Sequence, residues 1–161
     1  MTRKIILGID PGLNNTGWGV IKAEGSSLSF IASGTFKTTT KQDTTERLKA
    51  IHEGFAELIE TYQPTTAAIE EVFVNENART SLKLGQARGV AILATGLAGL
   101  KCAEYTPKEV KKAIVGTGRA DKTQMGYMVN MLLPGANPKT EDAADALAVA
   151  ICHAHTSQNR F

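Results

Sequence analysis

The hydrophobic pattern changes period once along the chain, and that change restricts the possible folds more than any other feature. From Lys4 to Phe36 the apolar and β-branched residues come in three short runs, Lys4–Asp10, Thr16–Ala23 and Leu28–Phe36. Turn residues separate them: Pro11-Gly12-Leu13-Asn14-Asn15, then Glu24-Gly25-Ser26-Ser27. Such runs read as strands, and the short gaps predict an antiparallel meander. From Leu48 the spacing turns helical, with Ile51, Phe55, Leu58, Ile59 and Tyr62 on one face and Pro64 as the stop. Helices and strands then alternate: a strand at Thr66–Val72, a helix at Thr80–Gly99, a strand at Lys101–Tyr105. Thr106-Pro107-Lys108-Glu109 is a capping box with proline at the first helical position, and Asp121 with Gln124 marks another helix start. Pro134–Pro138 is a loop, and Glu141–His155 forms the last helix. Three strands followed by alternation predict an α/β fold with a mixed five-stranded sheet flanked by helices.

With 161 residues, 42% hydrophobic and 21% charged, the chain is expected to form one folded domain rather than a disordered segment. The apolar stretch behind the basic N-terminus, Ile5–Ile9, is too short for a secretory signal core. The longest weakly polar run, Gly89–Leu100, falls well below the ~18 residues of a membrane span. Cys102 and Cys152 make neither a disulfide framework nor a metal cluster, and both read as small core residues of a reducing, cytoplasmic compartment. His52, His153 and His155 have no ligand spacing with either cysteine and read as incidental.

The chemistry points to four carboxylates from three separate places. Asp10 closes the first strand, Glu70 interrupts the apolar Ala67-Ala68-Ile69 run, and Asp142 and Asp145 share one face at the start of the last helix. Each has an ordinary structural explanation alone: a turn residue for Asp10, a solvated strand position for Glu70, an anion at a helix N-terminus for Asp142. Together they are unusual, because unpaired carboxylates in runs that should be buried are costly. Hard divalent cations such as Mg²⁺ or Mn²⁺ would offset that cost, provided strands one and four are neighbours and the last helix crosses their ends.

The stretch Gly8-Ile9-Asp10-Pro11-Gly12-Leu13-Asn14-Asn15-Thr16-Gly17-Trp18-Gly19-Val20 resembles the opening motif of the RuvC Holliday-junction resolvases. Ala68-Ile69-Glu70-Glu71-Val72-Phe73, Leu82-Lys83-Leu84-Gly85-Gln86-Ala87-Arg88-Gly89 and Asp142-Ala143-Ala144-Asp145-Ala146-Leu147-Ala148-Val149-Ala150 are similar to that family as well, in the same order. The resemblance runs from about residue 4 to residue 157. It implies a ribonuclease-H-like nuclease domain over residues 1–157 with a short tail at 158–161. It also implies a metal-dependent endonuclease, homodimeric, that resolves four-way DNA junctions in recombination and repair by paired symmetric cuts. Each cut would leave a 5′-phosphate and a 3′-hydroxyl. Asp10, Glu70, Asp142 and Asp145 correspond to the family's catalytic acids and would hold two Mg²⁺ ions, with Asp10 as the bridge; Mn²⁺ would substitute. Some relatives carry histidine at the position of Asp142. Cooperation with the RuvA–RuvB branch-migration machinery is implied too.

Two cations about 4 Å apart suit phosphodiester hydrolysis, one helping to generate the nucleophile and the other stabilising the leaving oxygen. Without metal, four carboxylates repel one another, so raised pKa values are expected. The second requirement is a grip on the phosphate backbone. Net charge is only +2, but between Arg79 and Lys122 nine basic residues face three acidic ones (Glu104, Glu109 and Asp121), a local net of +6. Lys111 and Lys122 resemble family positions that contact DNA near the cut, with Arg79, Lys83 and Arg88 as further backbone contacts. Phe73 corresponds to an aromatic that stacks on an unpaired base at the junction centre, and a core plug is its structural alternative. Trp18 reads as packing.

Symmetric cutting by one active site per chain calls for a two-fold pair. The Thr80–Gly99 helix is the expected interface: Gly85, Ala87, Gly89, Ala91, Ala94, Gly96 and Ala98 would allow close approach, while Leu82, Leu84, Val90, Ile92, Leu93 and Leu97 supply apolar area. Three rival readings remain at this level. They are an ATPase using Asp10–Gly17 as a phosphate loop, a non-catalytic DNA-binding module, and a nuclease acting on RNA–DNA hybrids.

Overall fold

The computed structural model describes residues 2–71 and 77–156. Phe73 and the tail at 158–161 lie outside them. β1 (Arg3–Asp10), β2 (Asn15–Glu24) and β3 (Ser27–Lys37) form the expected antiparallel meander. β4 (Thr66–Glu70) and β5 (Cys102–Tyr105) add to the other side of β1 in parallel, so the sheet runs β3-β2-β1-β4-β5. The mixed five-stranded sheet is as the sequence predicts.

The strict period of two divides each strand between two layers. Leu7, Ile9, Val20, Ala67 and Ile69 face α1 (Thr44–Tyr62) and α2 (Ala78–Leu97), packing on Ile51, Phe55, Ala87, Ala91 and Ala94. Ile6, Ile21, Ala68, Ala103 and Tyr105 face the other way, against α3 (Pro107–Val115), α4 (Lys122–Leu132) and α5 (Glu141–His155). Trp18 does pack: its ring lies 6.3 Å from Phe36 and 6.1 Å from Tyr62. Both expected capping boxes form, Thr106 with Glu109 and Asp121 with Gln124.

Three side chains have roles that local sequence does not disclose. Arg47 is buried and donates to the Thr38 hydroxyl (3.0 Å) and to Asn14 Oδ1, which ties α1 to the β1–β2 turn. His153 is not incidental. It is buried between the Thr66 hydroxyl (3.0 Å, Nε2) and the Tyr105 hydroxyl (2.7 Å, Nδ1), fastening α5 to β4 and β5, and burial pushes its pKa down to about 4. Cys152 is core, while Cys102 is half-buried with its pKa pushed up to about 12 by burial.

α2 divides its residues differently from the expectation. Ala87, Ala91 and Ala94 are buried against the protein's own sheet and α1. The outward face holds Leu82, Leu93 and Leu97, exposed by 66%, 55% and 69%, with open space over Gly85, Gly89 and Gly96.

Candidate active site

Ile9 stands opposite Ile69 in the parallel β1–β4 ladder. The next residue on each strand is an acid, so Asp10 and Glu70 emerge side by side at the carboxyl ends of the two strands. Alternation turns both towards the α5 layer, where Ala68 and Ile6 also point. The carboxyl end of parallel strands is where open α/β sheets place ligands.

Glycines bring α5 down to meet them. A Cβ at Gly8 would stand 2.1 Å from the Ala146 carbonyl oxygen, and one at Gly17 would stand 2.0 Å from the carbonyl oxygen of Asp142. Gly17 is the cross-strand neighbour of Asp10, and Gly8 that of Gly19. These three positions form a side-chain-free floor on which the first turns of α5 rest, and Asp142 and Asp145 are thereby lowered onto the strand ends. Thr140 caps the helix, its hydroxyl accepting from the Ala143 amide and bonding to the Thr35 hydroxyl at 2.7 Å.

Three of the acids are perturbed by burial and by their acidic neighbours. Burial, then the charges of Asp145, Glu70 and Asp142, raise Asp10 to about 8, helped by a hydrogen bond shared with Asp142. Burial and then Asp145 raise Glu70 to about 7, opposed by Lys111. Asp145 rises to about 6 through burial, with Lys122 pulling it down and Glu141 and Asp142 pushing it up. The structure thus brings all four sequence-selected acids into one neighbourhood, although among the described residues no three donors converge tightly enough to hold a metal ion as the side chains stand. The donor set still fits a hard divalent cation. Several carboxylates forced towards their protonated forms by burial and mutual repulsion mark a site short of positive charge.

A cleft of about 480 Å³ opens beside the acids, lined by Glu70 and Asp145, by Lys111 of α3 and by Lys122 and Met125 of α4. Lys111 reaches this place because Glu70 pairs with Tyr105, and α3 begins directly after Tyr105. Lys122 stands at the exposed rim in an ion pair with Glu141, which raises its pKa. Glu141 was not singled out by sequence; only its place one residue before Asp142 could have drawn attention to it. The other basic residues divide. Arg79 and Lys83 are exposed on the first half of α2. Arg88 is instead engaged with Glu104 of β5, so it braces α2 against the sheet edge.

The family described as crossover junction endodeoxyribonuclease RuvC matches residues 6–153. The RuvC of Sinorhizobium medicae is 53% identical over 153 residues, covering 95% of this chain and 92% of that protein. The RuvC of Azorhizobium caulinodans is 55% identical over 150 residues, covering 93% and 89%. The structure of T. thermophilus RuvC in complex with Holliday junction substrate superposes with a TM-score of 0.89 at 31% identity, covering 94% of this chain and 93% of that one. Agreement of this length, in sequence and in backbone alike, makes the chain a member of the RuvC crossover junction endodeoxyribonuclease family.

Proposed function

We propose that the protein cuts four-way DNA junctions in recombination and repair by paired, symmetric, metal-dependent phosphodiester hydrolysis, leaving 5′-phosphate and 3′-hydroxyl ends. The observation that carries this reading is the convergence of Asp10, Glu70, Asp142 and Asp145 at the strand ends, three of them with strongly raised pKa values. When bound there, two Mg²⁺ ions, or Mn²⁺ in their place, supply an activated water and neutralise charge on the leaving oxygen. Asp10, at the centre of the mutual repulsion, is the residue best placed to serve both ions. Glu70, Asp142 and Asp145 would supply the remaining oxygen ligands.

Lys111 and Lys122 deal with the substrate's charge. An acidic pocket alone repels DNA, and these two cations, one beside Glu70 and one coupled to Asp145, offset that repulsion at the phosphate being cut. Arg79, Lys83 and Arg88 remain candidates for backbone contact, and Phe73 for base stacking.

The active form is a homodimer joined through α2. Leu82, Leu93 and Leu97 fall on one helical face, and the glycines beside them leave room for a second backbone. RuvA–RuvB is the proposed cellular partner. No helix among the described residues is long and apolar enough to cross a membrane; cysteines kept as thiols suit the reducing cytoplasm as the place of action.

The test is cleavage of a synthetic four-way junction beside a linear duplex and an RNA–DNA hybrid, with and without Mg²⁺. Paired Mg²⁺-dependent nicks on the junction alone, lost in Asp145→Asn with binding retained, are expected. Cleavage of the hybrid in preference, or nicking by Asp145→Asn, would overturn the proposal.

A further inference from the structure

A second groove, of about 470 Å³, lies on another side of the α5 N-terminus from the acid-lined cleft. The cleft is bordered by the Glu141, Ala144, Asp145 and Ala148 stripe of α5, and this groove by Thr140 and Ala143. β3, the sheet's edge strand, forms the opposite wall with Ser33, Thr35 and Lys37, and the loop before α5 contributes Asn137 and Lys139.

The chemistry of the two depressions is opposite. The cleft holds Glu70, Asp121, Glu141 and Asp145 among its lining residues, whereas the groove has no acid. Lys37 and Lys139 are both exposed, and among the described residues neither has an acid within ion-pair distance. Lys122 by contrast is already engaged with Glu141. The wall adds the Ser33 hydroxyl and the Asn137 amide, and the Thr35 and Thr140 hydroxyls, bonded to each other, keep one hydrogen to donate. Unpaired ammonium groups beside hydroxyl and amide donors suit phosphate oxygens, and they carry no preference for base identity.

We propose that this groove binds the sugar–phosphate backbone of the DNA strand, on the other flank of the acid cluster from Lys111 and Lys122. Lys37 and Lys139 each take one phosphate. The strand then crosses the acids between two cationic banks, which holds it in place over a centre that would otherwise repel it. This inference rests on the proposed junction-cutting activity and adds two contacts to it.

The experiment measures binding of the full chain to a four-way junction at several salt concentrations, for the wild type and for Lys37→Gln/Lys139→Gln. Each lost phosphate contact removes ~0.9 from the slope of log affinity against log salt, so the double variant should lose about 1.8 per protomer engaged. Over a fourfold rise in salt, the wild type then loses about 12 times more affinity than the variant, per protomer engaged. Lys37→Arg/Lys139→Arg should keep the wild-type slope, and Lys49→Gln on α1, which removes a charge on the far face of the sheet, should leave it unmoved. If the wild type binds and cuts junctions while the double variant keeps the full slope, the groove proposal is wrong and the activity stands. If the wild type neither binds nor cuts a junction, both fail.

Discussion

Replacing Gly17 by alanine adds one methyl group where the structure has no room for it. The new Cβ would stand 2.0 Å from the Asp142 carbonyl oxygen, and the nearest carbon of that residue's main chain lies at 2.3 Å. Ordinary carbon–oxygen contact needs well over 3 Å, so either β2 or the first turn of α5 must yield by more than ~1 Å. Overpacking of this kind costs about 1–3 kcal/mol, and at this chain length each kcal/mol lowers Tm by about 2–4 °C. The larger consequence is for chemistry. The displaced turn carries Asp142, and the strand that pushes it is paired with Asp10. A misplacement of ~1 Å in catalytic groups can cost roughly 10²-fold in rate. Thermal melting should therefore show a drop of roughly 2–12 °C, and junction nicking at saturating Mg²⁺ should fall about a hundredfold. Gly17→Ala with wild-type Tm and wild-type nicking would refute the view that a glycine floor positions the α5 acids.

Other expectations follow from the same geometry. Asp10, Glu70 and Asp145 have folded pKa values raised to about 8, 7 and 6, so their contribution to stability is present at low pH and lost as pH rises through that range. In EDTA the Tm should fall between pH 6.5 and 8.5; Asp10→Asn should flatten that fall while abolishing nicking, and a flat wild-type profile would count against the repulsion. His153 acts with the opposite sign. Its folded pKa of about 4 lies below the free value of 6.5, so its contribution is present above pH 6.5 and lost as pH falls towards 4. Comparing wild type with His153→Gln across that window should show a smaller acid loss in the variant, which also begins from a lower Tm. Leu93→Glu puts a charge on the outward face of α2 and should yield monomers by sedimentation, with single nicks replacing paired ones; a stable dimer would remove α2 from the interface.

Much of this architecture was legible in advance because it depends on short-range rules. Alternation located the strands, and the Thr106 and Asp121 boxes located two helix starts to the residue. The four acids stood out because charge in an apolar run is expensive wherever it occurs. What escaped was set by tertiary packing. Nothing local distinguishes Arg88, braced by Glu104, from Arg79, which is exposed; the partner is 16 residues away and on another element. By size alone the alanines and glycines of α2 are equivalent close-approach residues, yet Ala87, Ala91 and Ala94 face the sheet while Gly85, Gly89 and Gly96 face out. Gly8 and Gly17 were visible as parts of a motif, but their purpose is defined only by what lies above them. Arg47 and His153 carry no local signal, because their roles depend on the turn at Asn14 and on the hydroxyls of Thr66 and Tyr105.

The central claim is that Asp10, Glu70, Asp142 and Asp145 form one cation-demanding cluster, and carboxyl-carbon NMR tests it most directly. Titrated without metal, Asp10 and Glu70 should change protonation near pH 8 and 7, coupled to each other and to Asp145. Adding Mg²⁺ should shift all three midpoints to markedly lower pH, because the cation competes with protons for the same oxygens. Ordinary carboxylate titrations near pH 4, unchanged by Mg²⁺, would contradict the account.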